Sequence, residues 1–280
     1  MRDPELVLAE VKKLPPMPQV VQRLAAMLRD PDVSARHLVD TVQLDQGLTA
    51  NVLRVCNSAY FGARRQITSL QQALTLIGNQ RLMDIVMSQG SSAYFNRPST
   101  GYELARGELW RHSVAVALTS QILSQRLSGR GDPMLYTAAL LHDVGKVVLS
   151  EFVAEGFEAI RTLVVERRMS FQEAEAQVLG IDHAELGARI CERWDFPPPL
   201  VAAIRHHHDP EAAQADPVCA IVYVSDLLCL MLGIGAGADG LAYHGGDKLL
   251  EALKLSEKDL YLTMADLTEE LQQAEEMLRV

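Results

Sequence analysis

Cysteine is scarce in this chain of 280 residues, and none of its four copies, Cys56, Cys191, Cys219 and Cys229, stands in a C-x-x-C pair. That spacing excludes a zinc ribbon and a disulfide framework. Their mostly apolar neighbours point to buried free thiols in a reducing compartment. No apolar signal region follows Met1, so the chain is expected in the cytoplasm. Strand signals are nearly absent, and there is no internal repeat or low-complexity tract. The phosphate-cradling G-x-x-x-x-G-K-[ST], a G-x-G-x-x-G after a strand and the G-x-S-x-G elbow are all missing. Basic residues are outnumbered, 26 Lys and Arg against 36 Asp and Glu, for a net charge of −10. So acidic a chain is not one that wraps nucleic acid non-specifically.

One stretch lacks nearly all charge. Val218 to Ala238 contains no Lys, Arg, Glu, Asn or Gln, yet carries Asp226 near its middle. An Asp at mid-membrane costs about 2.5–3.5 kcal/mol on insertion scales. Gly233, Gly235 and Gly237 weaken its last third as a helix. No Lys or Arg lies between Arg205 and Lys248 to anchor either end. The stretch is therefore expected as a helix buried in a soluble core, not as a membrane span, and its buried carboxylate needs a partner.

What is present suits a globular protein: 48% hydrophobic and 22% charged residues. The charge is uneven. Residues 1–100 carry a net +3 and residues 101–280 a net −13, and seven of the eight histidines lie in the second part. Helix signals run throughout. Asp3-Pro4, Asp132-Pro133 and Asp216-Pro217 read as N-caps followed by a first-turn Pro. Ser69/Gln72, Ser170/Glu173 and Asp182/Glu185 have capping-box spacing. After the break at Leu14-Pro15-Pro16-Met17-Pro18, a helix carries Val20, Val21, Leu24, Met27 and Leu28. Others are expected from Asp32-Val33-Ser34, from Asp45 to Asn57, and near 69–77 and 79–95. Beyond a linker at Asn96–Gly101, helices are expected at about 103–127, 133–149, 151–168, 170–179, 183–194, 198–208 and 216–232. A Gly-rich loop over 233–246 and an acidic helix from Ser256 to Val280 follow. The fold class is all-α, in two packed helical subdomains, residues 1–100 and 101–280.

The chemistry-bearing residues fall mainly in the second part. His142-Asp143 sits late in an apolar helical segment, where ionisable side chains are disfavoured. Glu108 and His112 share a helix face. His183 lies in a first turn, His206-His207-His208-Asp209 ends a helix, and Asp226 sits within the apolar one. Imidazole and carboxylate donors suit iron, manganese and zinc, and a cation accounts for a buried Asp226. A core of internally satisfied histidines is the competing account. Two or three clustered ions would form a hydrolytic centre. Lys146, about one turn past Asp143, could touch a substrate phosphate or simply favour the helix dipole. Arg54, Arg64 and Arg65 near Tyr60 and Phe61 read as solvated surface charge, with a small anion or partner surface as the other reading.

These residues resemble the HD superfamily of metal-dependent phosphohydrolases, and more closely the HDOD (HD-related output domain) family. The resemblance covers roughly residues 10–230. It rests on Leu14–Pro18, Leu48-Thr49-Ala50, Leu53-Arg54, Asn57–Tyr60, Ala73 and Leu76-Ile77-Gly78. It continues through His112-Ser113, Leu141–Lys146, Asp182–Gly187, Trp194, Pro197 and His207-His208, while Gln46 departs from the family's usual Pro. It implies a bacterial signalling module that works through protein partners. By similarity to the HD-GYP family, which hydrolyses cyclic di-GMP, the metal ligands would be Glu108, His112, His142, Asp143, His183, His207, His208 and Asp226. Asp143 and Lys146 would be the catalytic pair, Lys146 on the phosphate side. Two or three divalent ions, iron or manganese before zinc, would be the cofactor. Two features depart from HD-GYP: Asp209-Pro210-Glu211 follows His207-His208 in place of Gly-Tyr-Pro, and no basic residue follows Asp226 in its helix. The expectation is a non-catalytic or weakly catalytic regulator with a retained metal site. A phosphohydrolase acting on a nucleotide or cyclic dinucleotide is the alternative.

Overall fold

The computed structural model describes residues 17–28, 34–58, 61, 66–95, 98–129, 131–241 and 253–278, together with 7, 9 and 11. Leu14-Pro15-Pro16, Asp32-Val33, Tyr60, Arg64, Arg65, Asn96, the Asp3-Pro4 cap and the end of the Gly-rich loop lie outside the described residues. Thirteen α-helices run through them: α1 (Gln19–Met27), α2 (Ala35–Val42), α3 (Gln46–Cys56), α4 (Leu70–Phe95), α5 (Glu108–Ser128), α6 (Pro133–Leu141), α7 (Lys146–Arg167), α8 (Phe171–Leu179), α9 (His183–Arg193), α10 (Pro198–Arg205), α11 (Pro210–Ala215), α12 (Pro217–Met231) and α13 (Glu257–Leu278). Short 3-10 turns stand at Thr100–Tyr102 and Ala238–Leu241. Among the described residues there is no strand, only an isolated bridge between Ser99 and Leu104. The chain is all-α, as its sequence leads one to expect.

The caps explain where most helices start. Ser34, Asp45, Asp132, Asp182 and Asp216 each accept a first-turn backbone N–H. Ser170 and Glu173 close the full reciprocal box at α8. The other two boxes form only half. The Ser69 hydroxyl accepts from Gln72 N, but the Gln72 amide oxygen turns to Thr68 N. Asp182 accepts from Glu185 N, while the Glu185 carboxylate goes to Arg189 and Arg205. At Gly78 (φ 78°, ψ 170°) α4 breaks, matching the two helices expected on either side.

Three boundaries differ from the sequence reading. The segment expected as one helix over 133–149 is split: α6 ends at Leu141, a turn holds 142–145, and α7 starts at Lys146 and runs through 151 without a break. His142-Asp143 is thus in a turn between helices. Helix α10 stops at Arg205, leaving His206–His208 in a turn, and α11 follows from an Asp209 cap and Pro210. That Asp-Pro pair was the same signal used elsewhere; it was masked by the histidine run before it.

Helix α5 is the central strut, packed on α6, α12 and α13, while α9 lies on α10 and α7 on α8. Buried side chains from both halves, from Val21 and Leu24 to Leu123, Leu200 and Leu267, form one continuous core. Helix α12 is buried along most of its length, Asp226 included, and no helix among the described residues is long and apolar enough to cross a membrane. All four cysteines are free and buried.

Candidate metal centre

Five separate places in the chain converge on one buried point. His112 comes from the second turn of α5, His142 and Asp143 from the α6–α7 turn, His183 from the start of α9, His207 and His208 from the turn after α10, and Asp226 from mid-α12. Relative exposure is 2% or less for His112, His142, Asp143, His183, His207 and Asp226. Close backbone approach makes this possible. A Cβ on Gly145 would lie 1.9 Å from the His183 carbonyl oxygen and 2.8 Å from Gly187 N, so only glycine lets the α7 start touch α9. On the far side Gly235 (φ +71°) presses on the His112 ring, where a Cβ would come within 2.5 Å. The glycines of the expected loop therefore let the chain back onto His112.

The histidines are aimed alike. Nδ1 of His112, His142 and His207 lies 2.9, 2.7 and 2.7 Å from the carbonyl oxygens of Ile234, Ala139 and Ile204. A carbonyl only accepts, so each Nδ1 carries a proton and Nε2 is the atom turned inward, with a free lone pair wherever the ring is neutral; at His112 burial acts against charge, but Asp226 beside Nε2 prevails and raises the pKa. His183 Nδ1 is held by Glu175 at 2.6 Å, and Glu175 also accepts from Tyr102 Oη at 2.5 Å. This outer layer of carbonyl and carboxylate acceptors is the arrangement that orients metal-binding histidines.

Asp143 stands between two donor groups. Its Oδ2 is 3.3 Å from His142 Nε2 and 3.6 Å from His112 Nε2; its Oδ1 is 3.6 Å from His183 Nε2 and 3.7 Å from His207 Nε2. Asp226 Oδ1 lies 3.0 Å from His112 Nε2. Donors about 2.1 Å from a shared ion stand roughly 3–3.5 Å apart in a tetrahedron. The sets His112/His142/Asp226, His142/Asp143/His207 and His183/His207/His208 each hold their ligand atoms within 4.8 Å of one another. Among the described residues, His142 Nε2, His207 Nε2 and Asp143 Oδ1 are buried without a hydrogen-bond partner. Such atoms are costly unless something binds them, and the residues present fit one or more divalent ions.

Charge follows the same pattern. Burial acts to raise the Asp143 pKa, but His142 and Lys146 outweigh it and hold the carboxyl well below its usual range. Burial acts against charge on His183 too, yet Glu175 lifts its pKa to about 9. His208, buried beside His207 and His183, is pushed well down. The 2.8 Å contact between the Nε2 atoms of His183 and His208 is accordingly a hydrogen bond donated by His183.

One of the expected ligands separates from the cluster. Glu108 does not join it: the side chain is exposed and accepts from Ala105 N, finishing the first turn of α5. Its i, i+4 relation to His112 fixes a helix face, but His112 alone is deep enough to reach inward. His206 also stays out, 40% exposed and 3.6 Å from Asp209. Lys146 is at the cluster, with Nζ 2.7 Å from Asp143 Oδ2, paired also with Asp239, and 5.4 Å from the Tyr102 ring centroid. Glu175, Tyr102 and Asp239 were missed. Glu175 had a signal, since it falls on the apolar stripe Phe171, Ala174, Leu179 of α8; Asp239, in a Gly-rich loop, had none.

Known proteins resemble this chain in structure or in sequence. The crystal structure of an HDOD domain protein of unknown function from Geobacter sulfurreducens is 29% identical, with a TM-score of 0.73 over 98% of each chain. An uncharacterized protein of Treponema pallidum is 26% identical over 203 residues, 71% of this chain and 38% of that protein. Ribonuclease Y of Thermus thermophilus is 31% identical over 104 residues, 37% of this chain and 13% of that enzyme. The chain thus spans well under half the length of these two curated relatives. The HDOD domain pattern matches residues 14–210, a stretch that runs from the N-terminal helices through the histidine turn after α10, and by that match the chain belongs to the HDOD family.

Proposed function

We propose that this chain is an HDOD regulatory module built around a retained metal centre of little or no catalytic power. His112, His142 and Asp226 would hold one ion, His183, His207 and His208 a second, with Asp143 shared between them. Imidazole–carboxylate donors of this kind favour iron or manganese, with zinc also accommodated. When bound, such ions would lower the pKa of a water and polarise phosphate oxygens.

The observation that carries the reading is the state of Lys146. Burial opposes its charge, but Asp143 and Asp239 hold it firmly protonated and take up two of its three donors. A phosphate approaching the centre would have to displace Asp239 to reach that ammonium. In this reading Lys146 fixes the Asp143 carboxylate and the 238–241 turn, and the residues before about 100 form the subdomain that meets a signalling partner.

The decisive experiment is elemental analysis of protein purified without chelators or a metal-binding tag. About two transition-metal equivalents per chain, lost in Asp143→Ala, support the centre. No metal after anaerobic iron or manganese loading would sink it. The second reading, a phosphohydrolase acting on a nucleotide or cyclic dinucleotide, is favoured by the seven clustered donors. It predicts turnover of a cyclic dinucleotide that Asp143→Ala abolishes and Asp239→Asn increases. The regulator reading predicts no turnover in either.

A further inference from the structure

A second cavity, of about 740 Å³, opens away from the metal centre, between α4, α5 and α13. Its volume falls in the range of small-molecule sites. None of the seven clustered donors lines it. Its walls combine apolar surface with charged groups, among them Arg81 and Arg126 as well as Asp84, Asp266 and Glu270. Ile77, Ile85, Val114, Leu118 and Ile122 supply apolar surface, and Asp84 of α4 and Glu270 of α13 supply carboxyls.

The acidic side is left unbalanced. Asp84 Oδ1 is shut off from solvent and has no hydrogen-bond partner among the described residues. Neither Asp84 nor Glu270 makes an ion pair with a described residue, whereas Arg126, also in the wall, is already paired with Asp266. Arg81 is near enough to favour ionisation of both carboxyls, but burial wins and raises each. The polar groups nearby are braced. Gln80 donates to Gln121 at 2.6 Å, Gln121 is fixed to the backbone of Asp132, and Ser88 and Tyr136 share a 2.8 Å hydrogen bond. A site held in shape this way, with an unanswered carboxyl beside an apolar wall, lacks a cationic N–H donor carried on an apolar body.

We propose that this cavity binds a small organic cation of the amine or amidine class, its N–H donors on Asp84 and Glu270 and its apolar body against Ile85, Leu118 and Ile122. The inference is independent of the metal reading. Such a ligand would touch α4, from the first hundred residues, and α5, the helix that also carries His112.

Benzamidine is a suitable probe, with benzoate as the same body of opposite charge. Calorimetric titration of the full chain should show benzamidine binding with a raised thermal midpoint, and benzoate binding at least about tenfold more weakly. Asp84→Asn should cost benzamidine about tenfold or more. Ile122→Trp, which fills the cavity, should abolish binding while circular dichroism and metal content stay those of the parent. No benzamidine binding at millimolar concentration, equal binding of benzoate, or binding unchanged in both variants would each overturn the proposal.

Discussion

At the scale of single residues, the centre depends on groups that touch no ion. Glu175 is fully buried, accepts from Tyr102, and holds His183 through both its backbone N–H and its ring. Glu175→Gln should lower metal affinity by about 10–100-fold in chelator competition. The neighbouring Glu173→Gln, which disturbs only the α8 cap, should leave that affinity unchanged. Equal losses in the two variants would mean that Glu175 acts through helix stability alone. Gly145 is as consequential for packing. Gly145→Ala should destabilise by about 1–3 kcal/mol or more in urea denaturation, because the atoms it meets are backbone and cannot rotate away. Seven of the eight residues expected as ligands are brought together by the fold, and they stand out in the sequence because His and Asp are conspicuous in apolar helical segments. Glu108 stays at the surface, outside the cluster: helical spacing tells which residues share a face and is silent on depth. Asp239 was illegible because its contact with Lys146 is made across some ninety residues of chain.

At the scale of elements, the surface network joining α9 to α10 gives a pH signature. Glu185 bonds Arg189 and Arg205, and Arg205 also bonds Glu192. Burial of Glu185 acts to raise its pKa, but the two guanidinium groups prevail and lower it. A carboxyl lowered on folding contributes stability above its unfolded pKa of about 4.3 and loses it as pH falls through the folded value. The two side chains are about a third exposed and screened by solvent, so Glu185→Gln should cost only about 0.5–1 kcal/mol at pH 7. The difference between variant and parent should close as the pH is taken below about 4. A difference that persists in acid would assign the loss to packing. Helix starts were legible here because caps are local: Asp182, Ser170 and Asp132 each bond within three residues. The end of α6 was not, because nothing local stops an apolar helix at Leu141. The turn exists so that α7 can approach α9 at Gly145, a contact with a residue far along the chain.

For the whole molecule, residues 101–280 carry the acidic surplus and also the buried cluster in which, among the described residues, His142 Nε2, His207 Nε2 and Asp143 Oδ1 have no hydrogen-bond partner. Ion binding to such a site is linked to folding, and an ion at 100 times its dissociation constant adds about 2.7 kcal/mol. Prolonged dialysis against a chelator should lower the thermal midpoint of the parent, and manganese or ferrous iron should restore it. A midpoint indifferent to both would leave the donor cluster as an internally tolerated polar core. The all-α class was legible in full, since helical periodicity and caps report it continuously; how the helices surround the site was not, because α5 meets α6, α12 and α13 through contacts that no local pattern announces. The burial of the four thiols has one more consequence. Burial pushes Cys56 and Cys219 up to about 11 and Cys229 up to about 12, so the folded chain presents no reactive thiolate near neutral pH. With the cysteines placed on α3, α9 and both ends of α12, the native sequence carries its own set of chemical clocks. Alkylation should be slow at every one of them, and the order in which mass spectrometry finds them modified would time the opening of the helices one by one, without a single engineered label.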